Sequence, residues 1–156
     1  MARKVYTVVF GGVAVTAQQD FFEITPADDR PVEILGLHLS QTTELADAAE
    51  EQLRIAVIRG HTTSGSGGSA PTPQLTDPRD SAAGFTAEVN NTTIASAGTG
   101  VTLHEDSWNV RVPYAHYWPP ECAIGADQGN TTIVVRLLTT PADSITMNGT
   151  LYVRER

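Results

Sequence analysis

Four histidines, His38, His61, His104 and His116, are the side chains of this 156-residue chain best suited to bind a metal ion or move a proton. They follow no metal-binding spacing. His104-Glu105-Asp106 is the densest local cluster of possible ligands, and with His116 it offers two ring nitrogens and a carboxylate. Alternate side chains on a strand share a face, so His104 and Asp106 point one way and Glu105 the other. A plain polar turn or exposed face is the preferred reading of this segment, and no metal ligand set is assigned.

Other chemistry finds less support. A cupin-like metalloenzyme would rest on His104, Asp106 and His116, but cupin-type jelly rolls bring several histidines and an acid together on neighbouring strands, and no His-x-His pair occurs here. Gly65-Ser66-Gly67 and Gly67-Gly68-Ser69 lie in a Gly/Ser run, not in the strand-to-helix elbow of a serine nucleophile. The Gly11-Gly12 and Gly60 regions lack the Lys-Ser/Thr ending of a phosphate loop. Carboxylate pairs such as Glu105 and Asp106, or Asp28 and Asp29, could serve a glycosidase only if folding set two acids at a defined separation. The expectation is a protein that is not an enzyme and uses no cofactor.

Two segments remain as places to touch a partner. The first is Trp108 to Glu121, which holds both tryptophans, two of the four tyrosines and three of the nine prolines. Trp, Tyr and Arg are enriched at interface anchors, so Tyr114, His116, Tyr117, Trp118, Pro119 and Pro120 are candidate contact residues. The alternatives are a platform for sugar rings, or a core Trp108 with Tyr117 and Trp118 capping one end of the domain. The second is the Gly/Ser/Pro-rich stretch from Gly60 to Gly84, where Ser64, Ser66, Pro71 and Pro73 are the candidates. It reads equally well as an arm reaching a neighbouring subunit or as a solvated excursion between two sheets.

The elements that must position these residues are strands. Short Val/Ile/Thr/aromatic runs recur between Gly, Pro, Asn and Asp clusters. Strands are expected over 3–10, 13–17, 21–25, 32–40, 53–59, 85–93, 101–112, 114–118, 131–139 and 144–154. Tyr6, Val8 and Phe10 share one face of the first. The apolar phase slips beside Gly36, where a β-bulge is expected. Trp108, Val110 and Val112 form the apolar side of 101–112. Residues 131–139 read as a central strand covered on both faces. Asn148-Gly149 is a turn or bulge signal. Only 44–51 has good helix formers, enough for one or two turns capped by Thr42 or Thr43. The fold expected is all-β, a single two-sheet sandwich of jelly-roll or Greek-key type over 1–156, with eight to ten strands and at most one short helix.

Composition sets the remaining bounds. A chain of this length buries roughly 70% of its unfolded surface, enough for a core without disulfides or metals. The single Cys122 has no intrachain partner and is expected to be a buried or half-buried thiol. Eighteen acids against ten bases leave a net charge of −8, with the bases scattered, which argues against direct nucleic-acid contact. No apolar run approaches the roughly 20 residues of a membrane helix, and the first residues do not read as a signal peptide. A soluble, non-secreted protein is expected, so the Asn-x-Ser/Thr triplets at Asn90, Asn91, Asn130 and Asn148 are taken as chance.

The acidic all-β pattern, the Gly/Ser/Pro-rich arm and the run from Leu103-His104-Glu105-Asp106-Ser107-Trp108 through Tyr114-Ala115-His116-Tyr117-Trp118-Pro119-Pro120 to Thr132-Ile133-Val134-Val135-Arg136-Leu137 together resemble a known family. They are similar to the jelly-roll decoration, or cement, proteins of tailed-bacteriophage capsids. The resemblance implies a homo-oligomer, a trimer above other numbers, made in the host cytoplasm. It would stand on the outer capsid surface and bridge major capsid subunits against internal pressure. It transfers no catalytic residue. A carbohydrate- or receptor-binding β-sandwich of a fibre or spike is the alternative.

Overall fold

A computed structural model describes residues 3–43, 50–127 and 131–156. Two antiparallel sheets pack face to face. The first has the order β5-β1-β11-β3-β8, with β9 also on β3, and the second β6-β2-β10-β4-β7. The strands are β1 (Val5–Val15), β2 (Gln19–Thr25), β3 (Val32–Gln41), β4 (Gln52–His61), β5 (Gln74–Leu75), β6 (Thr86–Asn91), β7 (Val101–Asn109), β8 (Tyr114–Tyr117), β9 (Ile124–Ala126), β10 (Thr132–Leu137) and β11 (Ile145–Glu155). Setting aside the short or added strands β5, β6 and β9, the eight that remain, renumbered in chain order, make up the two sheets as 1-8-3-6 and 2-7-4-5. That is the double Greek key of a jelly roll. The all-β sandwich expected from the sequence is the observed fold. Among the described residues the helical content is one 3-10 turn, Pro120–Cys122. The short helix expected over 44–51 falls largely outside them.

Alternation fills the space between the sheets. Along β11 every second residue is buried, from Ile145 through Met147, Gly149, Leu151 and Val153 to Glu155. Leu37 and Leu39 of β3 face them from the same sheet, and Phe21, Ile55, Val57, Ile133, Val135 and Leu137 complete the core. Each such side chain contributes about 1.5–3 kcal/mol on leaving water.

Two register shifts shape the first sheet. Tyr152 pairs with Gly36 and Val153 with Ile34, so Leu35 is the extra residue of a bulge beside Gly36, where the hydrophobic phase slips. The second corrects the sequence reading. Residues 3–10 and 13–17 do not form separate strands, because β1 continues through a bulge at Gly11-Gly12 opposite Asn148. Gly12 takes φ +66°, a left-handed conformation that side chains resist. The Asn148 side-chain oxygen accepts the Gly12 N–H at 2.9 Å. Asn148-Gly149 is therefore no turn. It lies inside β11, with the Phe10 ring packed over Gly149 so closely that a Cβ there would collide with it.

β10 is covered on both faces, as its pattern predicts, and all six of its residues are buried. Val134 sits outward beneath Ala95 and Leu138. Outward Arg136 donates to Asp20 through Nε at 2.5 Å and Nη2 at 3.1 Å, and to the Ala95 carbonyl at 2.9 Å. Asp20 also accepts the Ala95 N–H at 2.7 Å. β7 ends at Asn109, earlier than expected, and Val112 is exposed beyond it. Cys122 is exposed too, because the proline-started 3-10 turn holds it at the surface instead of in the core.

The Gly/Ser/Pro stretch has a defined course. Thr63, Ser66 and Ser69 exchange paired backbone hydrogen bonds with Ser96, Thr93 and Val89. Gly65 N–H donates to the buried Glu23 carboxylate at 2.9 Å. The chain then adds β5 to the β1 edge at Tyr6 and Thr7. The stretch thus runs from β4 of one sheet to β5 of the other.

Candidate functional site

At the edge opposite β5 and β6, the sandwich is closed by β7 from one sheet and β8 from the other. β7 is held by β4, with His104 opposite Val57, Asp106 opposite Ile55 and Trp108 opposite Leu53. β8 is held by β3, with Tyr114 opposite Leu39 and His116 opposite Leu37, and Trp118 N–H bonds the Leu35 carbonyl at 3.0 Å. Since alternate residues share a face, His104, Asp106 and Trp108 converge on Tyr114, His116 and Trp118.

The rings interlock. The centroids of His104 and His116 are 4.6 Å apart, those of His116 and Trp118 4.6 Å, and those of His104 and Trp118 5.2 Å, the last edge to face. Trp108 and Tyr114 lie 5.8 Å apart. Trp108, Tyr114 and Trp118 are buried, His104 and His116 are half-buried, and Asp106 is exposed. The cluster therefore has an apolar floor and a polar mouth.

Hydrogen bonding orders the polar side. The Tyr114 hydroxyl donates to Asp106 Oδ2 at 3.1 Å and lies 3.3 Å from His104 Nε2. A hydroxyl has one proton, and an ionised carboxylate only accepts. With that proton donated toward Asp106, the Tyr114 oxygen is left to accept Nε2–H of His104, which puts the lone pair of the neutral ring on Nδ1. Asp106 Oδ1 accepts the Ser107 N–H at 2.8 Å. Burial, then the neighbouring His116, lowers the His104 pKa below its ordinary 6.5, against the opposing pull of Asp106. Burial, then the Asp106 charge, then its hydrogen bond raise the Tyr114 phenol above its usual range. One ligand atom each from His104, Asp106 and His116 lies within 4.8 Å of the others. Two imidazoles and a carboxylate suit a divalent transition metal.

The other predicted residues are sorted by the same alternation. Tyr114, His116 and Trp118 point inward, whereas Tyr117 is on the outer face of the sheet, 58% exposed. Tyr117 lies across Gly36, bonds His38 Nε2 at 2.8 Å and approaches Tyr152. The expectation of Tyr117 and Trp118 as a joint cap is thus half right: Trp118 packs inside and Tyr117 does not. Pro119 and Pro120 are exposed beyond β8. Ser64 and Ser66 are exposed and Pro71 and Pro73 half-buried on the arm. The arm leads to β5 at the opposite edge of the β8 sheet, so the two candidate contact regions do not join into one surface. The sequence reading underrated the meeting of His104 and Asp106 with His116. Its signal was period-two spacing in two runs, 104-106-108 and 114-116-118.

Compared with known proteins, the chain matches no family model, no curated protein and no solved structure.

Proposed function

We propose that this chain is a structural protein of a virion, which decorates the outer surface of a tailed-phage capsid as a homo-oligomer, a trimer, and bridges major capsid subunits. The observation that carries the reading is the double Greek-key strand order. Jelly rolls serve in viral shells, lectins and cupins, and a fold alone does not choose among these. The details of this chain favour the first. Among the described residues the space between the sheets is filled by side chains such as Leu37, Ile55, Val57, Leu137 and Leu151, where a substrate would need room. Of Tyr114, Tyr117 and Trp118, only Tyr117 is exposed, so a stacking platform for sugars has one ring instead of three. Tyr117 with His38 and Tyr152 supplies an aromatic patch of the kind that anchors protein contacts. The net charge of −8 suits docking on basic capsid loops.

The experiment is reconstitution. Purified chain is mixed with capsids that lack it, and binding is read by co-sedimentation and electron microscopy, with light scattering for the mass in solution. Saturable binding at repeated positions is expected, weakened at least tenfold by Tyr117→Arg. A monomer that never binds capsids, yet gives a signal on a glycan array, overturns the proposal in favour of a carbohydrate-binding module.

A further inference from the structure

The geometry points to a binding site for a divalent transition-metal cation of the Zn2+ class, formed by His104 and Asp106 of β7 and His116 of β8, which ties the two sheets together at their open edge. It stands independently of the proposed virion role.

Three observations carry it. The first is the ligand set. Zn2+ takes imidazole nitrogen at about 2.0–2.1 Å and carboxylate oxygen at about 2.0–2.2 Å, which places ligand atoms of a tetrahedral site roughly 3.3 Å apart. Here one atom from each side chain already lies within 4.8 Å of the others, so side-chain rotation can close the difference without moving strands.

The second is the scaffold. His104 and Asp106 are two apart on one strand and share a face, and the third ligand comes from the strand across the gap. β7 is laddered to β4 and β8 to β3, so the ligands stand on elements held by backbone hydrogen bonds. Sites on such elements are more accurately placed than sites on loops.

The third is the outer shell. Metal-binding histidines donate their second ring N–H to a fixed acceptor, and metal-binding carboxylates are themselves hydrogen-bonded. Tyr114 does both tasks, accepting from His104 Nε2 and donating to Asp106 Oδ2. That leaves His104 Nδ1 with its lone pair. Asp106 Oδ1, with one bond from Ser107 N–H, keeps a second lone pair. Trp108 and Trp118 form the apolar wall behind. Three protein ligands with an exposed Asp106 leave a fourth position for water or an outside group.

The test uses full-length protein without an affinity tag, stripped with chelator and titrated with Zn2+ by calorimetry. Co2+ is added in parallel to read the visible absorption of its ligand field. One ion per chain is expected, with a tetrahedral or five-coordinate Co2+ spectrum and a thermal midpoint that climbs with Zn2+ concentration. Asp106→Asn and His116→Gln should each weaken binding at least tenfold. Tyr114→Phe should weaken it about 10- to 100-fold with all ligands present. His38→Gln, a histidine on the outer face, should leave it unchanged. Asp106 is exposed, so its amide variant keeps the fold and remains readable if His116→Gln does not. No binding, or binding that Asp106→Asn leaves intact or His38→Gln abolishes, overturns the site.

Discussion

Replacing Asp20 by Asn should cost about 3–5 kcal/mol of stability, although the substitution changes no volume. The Asp20 side chain is fully buried and that of Arg136 is 9% exposed. Asp20 receives both Arg136 bonds and the Ala95 N–H, while Arg136 Nη2 also reaches the Ala95 carbonyl. The pair pins the 92–96 segment over β10 as well as neutralising itself. Asn keeps one oxygen but turns an N–H toward the guanidinium, leaving a buried cation without its counter-charge. Removing one partner of a buried pair has a typical cost of about 3–5 kcal/mol, and hydrogen bonds to charged groups are worth about 1.5–3 kcal/mol each. For a domain of this size 1 kcal/mol moves the thermal midpoint by about 2–4 °C, so a fall of about 6–20 °C is expected. Urea titration at an m-value of about 2 kcal/mol/M would show a midpoint lower by about 1.5–2.5 M. Arg136→Met alone should lose a similar amount, and the double variant should recover part of it, with a coupling of at least 2 kcal/mol. An Asp20→Asn protein within 1 kcal/mol of the parent, or an additive double variant, would refute the account.

Two further outcomes rest on single contacts. Gly149→Ala should destabilise by about 1–3 kcal/mol, because its Cβ would meet the Phe10 ring in the packed interior; unchanged urea unfolding would show that Phe10 moves freely. In chelator-treated protein the His104 ring should titrate by NMR below its ordinary 6.5, since burial and His116 disfavour its charge. The folded pKa lies below the unfolded one, so below about pH 6.5 the unfolded chain binds a proton that the folded chain resists. Stability attributable to His104 is therefore complete above that pH and is lost as pH falls through the folded pKa. His104→Gln should flatten this part of the profile, and an identical slope in parent and variant would contradict the assignment.

Most strands were legible because burial on one face imposes period two. Tyr6, Val8 and Phe10 show it in β1, and Met147, Leu151 and Val153 in β11. The phase slip at Gly36 revealed a bulge for the same reason, since an extra residue inverts the pattern. Taken alone both pairs favour turns, so Gly11-Gly12 reads as a break between strands; of the two readings of Asn148-Gly149 the turn fails, while a bulge does lie there, on the facing strand. Paired across β1 and β11, one is a bulge, and in the other Asn148 holds that bulge while Gly149 makes room for a ring. The long Gly/Ser stretch looked unanchored because its partners, the Glu23 carboxylate, the Asn91 side chain and backbone groups of 89–96, are remote in sequence.

The site divides along the same line. Local order of residues determined that His104 and Asp106 share a face, that Tyr114, His116 and Trp118 share another, and that Tyr117 opposes them, because backbone pleating is a local property. Whether those two faces meet depends on which edges β7 and β8 occupy, and that follows from the pairing of β7 with β4 and β8 with β3. Such pairings join residues tens of positions apart and are selected by the packing of the whole core. Only the tertiary structure could turn two scattered histidines and an acid into neighbours.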